Sequence, residues 1–202
     1  MDLIVKFIAL ILAIVIHEFA HGYAAYLLGD PTAKRARRLT LNPLAHLDIF
    51  GSIILPLVLV LTGSPVLLGW AKPVPFNPGY FRDPRRGIMI VGAAGPLMNF
   101  LAALLSAVVF HFVGALSHLA ALFFFFFCAT NLILGIFNLI PIPPLDGSRI
   151  VMGLLPDDLA SAYLRLESFG FIIIFALLWL GVLDYIVSPI YRFLLGWLLS
   201  SA

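Results

Sequence analysis

The chain has 202 residues, a formal net charge of +2, and 62% hydrophobic against 11% charged residues. A soluble domain carries about 25% charged residues, so too little polar material is present to cover a water-facing surface. Composition thus excludes a water-soluble globular protein, the small net charge gives no ground for a nucleic-acid partner, and the expectation is an all-α polytopic membrane protein with the lipid bilayer as its solvent.

The first apolar stretch, 3–28, exceeds the roughly 20 residues that a helix needs to cross hydrocarbon. It is too long for a cleaved signal peptide, and it contains His17, Glu18 and His21. Residues 17–21 read His-Glu-Phe-Ala-His. Positions i and i+4 share one helix face, so His17 and His21 can hold one metal ion, predicted to be Zn2+. Glu18 stands beside it, placed to take a proton from water as general base and to return it to a leaving amine. This is the zincin arrangement. Ionisable groups inside an apolar span cost about 2.5–3.5 kcal/mol each at mid-membrane, so they need a function or a partner. A hydrogen-bonded cluster joining helices, or a metal-transport site, are the competing readings.

Residues 29–50 form a basic loop with Lys34, Arg35, Arg37 and Arg38. It also carries His46 and Asp48, the latter read as a loop charge. The stretch 51–68 is apolar, but Gly51, Pro56, Gly63 and Pro65 interrupt or flank it. A second basic loop, 69–87, holds Lys72, Arg82, Arg85 and Arg86. Its segment Gly69-Trp70-Ala71-Lys72-Pro73-Val74-Pro75-Phe76 reads as an extended loop. Pro73 and Pro75 leave one edge able to pair with an unwound substrate.

The stretches 87–113 and 119–140 are each long enough to span. Gly95-Pro96-x-x-Asn99 lies in the first, and His111 and His118 flank the turn between the two. The run Phe123–Phe127 reads as lipid contact, and the lone Cys128 as a packed thiol. After Asn138, Pro141, Pro143 and Pro144 break the helix just before Leu145-Asp146-Gly147. Irregular backbone at membrane depth is tolerated only against protein or a wet cavity, which makes Asp146 a strong ligand candidate. A catalytic zinc usually takes three protein ligands. His46, Asp48, His111, His118 and Asp146 are the residues from which a third must come. The stretch 168–187 is a further span, and 189–200 is a short apolar piece, interfacial or partly spanning, interrupted by Arg192.

His17-Glu18-x-x-His21, Gly95-Pro96-x-x-Asn99 and Asn138-x-x-Pro141-x-x-Pro144-Leu145-Asp146-Gly147 together resemble the site-2 protease family of intramembrane zinc metalloproteases, over about residues 17–150. The resemblance implies one zinc on His17, His21 and Asp146, with Glu18 as catalytic base. It implies cleavage of a peptide bond within or near a transmembrane segment of a membrane-protein substrate. It also suggests substrate or oxyanion contacts for Asn99 and Asn138, with hydrogen bonding between helices as the alternative for each; His46 is a further residue of interest near the site. Unlike larger members, 202 residues leave no room for a PDZ or nucleotide-sensing domain. A metal-binding or metal-transport protein, or an inactive family member, are the alternatives. The retention of Glu18 argues against both.

The ligands constrain topology. His17 and His21 lie late in 3–28, and Asp146 lies just past 119–140. One ion can touch all three only if these helices run parallel. Helix 87–113 supplies one crossing between them, so 51–68 is expected to be a re-entrant or hairpin element. Both basic loops then share a face, which the positive-inside rule makes cytoplasmic. The expected organisation is one membrane-embedded domain over 1–202, with a core at 3–150, C-terminal helices at 168–200 and about five to six membrane segments. A bacterial cytoplasmic membrane is the expected location, with the zinc toward the cytoplasm.

Overall fold

The computed structural model describes residues 2–54, 58, 61, 62, 72–113 and 117–200. Most of 51–68, the expected re-entrant or hairpin element, lies outside the described residues. Among the described residues the structure is helical and contains no strand.

Helix α1 spans Asp2–Leu27. Gly29 ends it, in the left-handed conformation at φ 99°. The Gly29 N–H donates to Tyr26 O and the Asp30 N–H to Ala25 O, both at 3.0 Å. These two bonds satisfy the last carbonyls of the helix, and glycine adopts that φ without steric cost. Helix α2, Pro84–Val113, runs back along α1: Asn99 reaches Ala13 O, and Val91 O lies against His21. Helix α3, His118–Asn138, is capped by Ser117 and runs antiparallel to α2. Its Asn131 meets Asn99, and its Phe124 O accepts from Ser106 Oγ at 2.8 Å.

The same contacts fix α3 against α1. Lys6 sits 4.8 Å over the Phe126 ring, while His17 and His21 meet Asp146, just past the C-terminal end of α3. Residue numbers rise together along both helices, so the two run parallel, as one shared ion requires.

Beyond α3 the chain turns through Pro141, Pro143 and Pro144 into α4, Asp146–Leu154. Helix α5, Asp157–Leu164, a 3-10 turn at Arg165–Phe169 and α6, Gly170–Trp179, follow. Helix α7, Val182–Leu199, closes the fold. Tyr191, Leu194, Leu195 and Leu198 of α7 cover the buried Ala103, Ala107, Cys128 and Leu132 of α2 and α3. His111 Nε2 donates to Leu198 O at 3.0 Å.

One boundary differs from the sequence reading. The break falls inside 168–187, at Gly181 with φ 71°, and the expected boundary at 188 lies within α7. Hydropathy stays high on both sides of Gly181, so it does not mark the break, and the glycine is the sign available in the sequence. The short piece 189–200 is accordingly the larger part of an 18-residue helix.

Among the described residues, five helical stretches are long and apolar enough to cross a membrane: Asp2–Leu27, Pro84–Val113, His118–Asn138, Asp158–Trp179 (α5, the 3-10 turn and α6 taken together) and Val182–Leu199. Their outward side chains are large and apolar, including Leu3, Phe112, Ile172, Trp179 and Phe193. Such a surface is stable in lipid and not in water. The protein is an integral membrane protein.

The two basic loops meet at one end of the bundle. Arg38 Nη2 donates to Lys72 O, and the Lys72 N–H donates to His46 O at 3.0 Å. Buried Asp30 accepts from the Asn77 N–H at 2.6 Å and from Thr32. Residues 72–77 therefore form a tethered, irregular strap over the end of α1 that carries His17–His21. They form no strand.

Candidate metal centre

His17 and His21 are one helical turn apart on the buried face of α1. Their Nε2 atoms lie 3.0 Å from each other. Asp146 Oδ2 lies 3.0 Å from His17 Nε2 and 3.1 Å from His21 Nε2. All three residues are buried. Among the described residues, this is the cluster of histidine, cysteine or carboxylate side chains whose atoms converge as metal ligands do.

The partners behind the histidines fix which nitrogen faces inward as a donor of electrons. His17 Nδ1 lies 2.5 Å from Asn99 Oδ1, and His21 Nδ1 lies 2.6 Å from Val91 O. Both partners accept only, since Asn99 Nδ2 is turned to Asn131 Oδ1 at 2.7 Å and to Ala13 O at 3.3 Å. Each Nδ1 therefore carries the proton, and each Nε2 presents a lone pair. Two lone pairs and a carboxylate oxygen pointing at one place repel unless a cation lies between them. Zinc bound by histidine nitrogen at roughly 2.0–2.1 Å, with outer partners on the other ring nitrogens, matches this donor set. The residues fit a zinc ion.

Close helix packing makes the convergence possible. A Cβ on Gly95 would stand 2.5 Å from His21 Nε2 and 2.6 Å from His17 Cε1. Only glycine lets α2 approach the imidazoles this closely. Gly147 has the same role behind Asp146, where a Cβ would lie 2.2 Å from Leu139 O.

Glu18 is half-buried at the edge of the cluster, and its Oε2 accepts from the Val74 N–H at 2.8 Å. The strap thus touches the residue read as the base. Arg149 Nη1 donates to Asp146 Oδ1 at 2.9 Å.

The other expected residues fall as follows. Asn99 is fully buried behind His17, with its Oδ1 at His17 Nδ1 and its Nδ2 on Asn131 and Ala13. Asn138 Nδ2 donates within its own helix, to Leu134 O at 3.0 Å. His46 is buried outside the cluster, with Nε2 on Thr40 O at 2.8 Å and its carbonyl on Lys72. Asp48 Oδ1 caps the Phe50 and Gly51 amides. His111 bonds α7, and His118 is exposed at the start of α3. The sequence reading does not include Asn131 or Arg149. An asparagine deep in the apolar α3 and a basic residue three positions after Asp146 are the signals that could have found them.

A polytopic helical membrane protein built around a buried His-Glu-x-x-His helix is a zinc metalloprotease by class. Residues 114–181 match peptidase family M50. The chain is 40% identical over 190 residues to the "Putative zinc metalloprotease YwhC" of Bacillus subtilis (strain 168), covering 90% of this chain and 83% of that protein. It is 30% identical over 172 residues to the "Putative zinc metalloprotease Rip2" of Mycolicibacterium smegmatis, covering 83% of this chain and 64% of that one. It is also 26% identical over 151 residues to the "Zinc metalloprotease MJ0392" of Methanocaldococcus jannaschii, covering 75% and 34%. The chain belongs to peptidase family M50, the site-2 proteases. No solved structure matches it.

Proposed function

We propose that the protein is an intramembrane endopeptidase that hydrolyses peptide bonds within or near transmembrane segments of membrane-protein substrates. His17, His21 and Asp146 would hold one zinc ion, and Glu18 would be the base. The observation that carries this reading is the buried convergence of two imidazole lone pairs and Asp146 Oδ2 within 3.1 Å of one another.

Zinc, when bound, supplies Lewis acidity that makes water nucleophilic at neutral pH and polarises a carbonyl. The protein's own groups do the rest. Glu18 takes the proton from the attacking water and returns it to the leaving amine nitrogen. Asn99 and Val91 O hold the imidazoles in the tautomer the site needs. The helices around the site exclude bulk lipid and enclose the polar groups. A substrate helix has every backbone group internally bonded, so it must unwind before a carbonyl reaches the site. Helix-destabilising residues in substrates follow as a preference.

The whole chain forms one membrane-embedded domain in this reading, because α7 packs across α2 and α3 and not apart from them. The end of the bundle bearing His17–His21 also bears Lys34, Arg35, Arg37, Arg38, Lys72, Arg82, Arg85 and Arg86. By the positive-inside rule that end faces the cytoplasm. Bacterial relatives support a bacterial cytoplasmic membrane.

The test is Glu18→Gln in purified protein, with zinc content and cleavage of a transmembrane substrate measured together. Retained zinc and a rate lower by about 10²–10⁴-fold are expected. Unchanged cleavage would overturn the mechanism.

A further inference from the structure

We propose that Arg149 is a positioning residue of the metal centre, taking one oxygen of the Asp146 carboxylate so that only the other is offered as a ligand atom. The inference rests on the metal reading above and deepens it.

Each oxygen of Asp146 has a different neighbour. Oδ2 faces the two imidazole nitrogens at 3.0 and 3.1 Å. Oδ1 accepts from Arg149 Nη1 at 2.9 Å. Asp146 opens α4 and Arg149 follows three positions later, on the same helix face. The Asp146 side chain is only 6% exposed, and the Arg149 side chain, 33% exposed, reaches it from the edge of the protein.

Arg149 is itself held. Its guanidinium lies 5.4 Å over the Phe76 ring of the strap. Its Cβ abuts Gly92 of α2 so closely that a Cβ there would approach it to 2.7 Å. The stem therefore runs between α2 and the strap and brings the planar head to Oδ1. A guanidinium stays charged at any working pH and donates along fixed directions.

The consequence is chemical. A carboxylate free at both oxygens can bind a cation through two atoms, or swing between them. A second bound oxygen would fill the position a hydrolytic zinc keeps open. A guanidinium on Oδ1 prevents this and keeps Oδ2 in place.

The test compares wild type, Arg149→Met, Arg149→Ala, Arg149→Lys and Asp146→Asn in detergent. Arg149→Met keeps an apolar stem over Phe76 and removes the donor. Zinc affinity is read by chelator competition, and Co2+ replaces zinc as a spectroscopic probe. Loss of the donor is expected to weaken zinc about 10–100-fold. It should also lower the intensity of the visible Co2+ band, because a second oxygen raises the coordination number. Arg149→Lys should fall between wild type and Arg149→Met, and Asp146→Asn should bind most weakly. Wild-type affinity and band intensity in Arg149→Met would overturn the proposal, with Arg149→Ala as the check if Arg149→Met does not fold. If Arg149→Met is weak only because packing is lost, its Co2+ band keeps the wild-type intensity, which also overturns it. A wild-type protein that binds no zinc would instead overturn the metal reading itself.

Discussion

The backbone N–H of Val74 donates to Oε2 of Glu18 over 2.8 Å. Pro73 and Pro75 flank Val74, so it is the one residue of these three with an N–H to give. Pro75 also holds Val74 extended, and Arg38 fixes the carbonyls before it. The strap is thus built to aim one amide at one carboxylate.

Val74→Pro removes that donor within an already extended run, while Val74→Ala keeps it. A hydrogen bond to a charged group is worth about 1.5–3 kcal/mol, which corresponds to roughly 10–160-fold in rate. Val74→Pro is expected to lose that much in kcat with zinc content unchanged. Val74→Ala should stay much closer to wild type. The measurement is kcat on a fixed transmembrane substrate with metal analysis alongside. Equal rates for the two variants would show that the amide does not orient Glu18.

The approach of α2 to α1 gives a second prediction. Gly95→Ala places a methyl 2.5 Å from His21 Nε2, closer than any real contact permits, so one imidazole must rotate out of the cluster. Expected are loss of bound zinc and loss of activity in a protein that still extracts as a folded species. Gly196→Ala is the control, because nothing lies within 4 Å of a Cβ there, and it should behave as wild type. Metal content per chain decides the matter.

Much of this site was legible in the sequence, for a physical reason. Zinc-hydrolase chemistry calls for the residue types found at His17, Glu18 and His21, and helical geometry sets their spacing. The Pro-broken segment before Asp146 was legible because irregular backbone in a membrane needs a purpose. From these alone the parallel course of α1 and α3 followed, and the structure has it. Partner choice was not legible. Asn99 can face substrate or an imidazole with the same sequence around it, and only the packing of three helices decides. The break at Gly181 was missed because hydropathy stays high on both sides of it, which leaves one glycine as its sign.

The asparagine pair behind His17 supplies a third prediction. Asn131 Nδ2 is held by Phe127 O at 2.8 Å, which leaves its Oδ1 to accept from Asn99. That contact sets which end of the Asn99 amide faces His17. Asn99→Ala should weaken zinc about 10–100-fold, as outer partners of metal-bound histidines commonly do. Asn131→Ala acts at one remove and should cost less. Chelator competition on both variants checks the order, and a larger effect at Asn131 would contradict the relay.

The last prediction concerns topology, and it follows from the contacts between the basic loops. Arg38 bonds Lys72 O, and Asp30 bonds the Asn77 N–H, so the two loops lie at one end of the bundle. His118, exposed at the start of α3, lies at the other end. Single cysteines at Lys34, Arg82 and His118 can be introduced in a Cys128→Ala background, the native thiol being buried among apolar side chains. A membrane-impermeant maleimide applied to right-side-out and inverted vesicles then reads each face. Lys34→Cys and Arg82→Cys should both label from the cytoplasmic side, and His118→Cys from the opposite one. If Lys34→Cys and Arg82→Cys label from opposite sides, the segment between them crosses the membrane an odd number of times. In that case α1 and α3 could not run parallel, and Asp146 could not share an ion with His17 and His21.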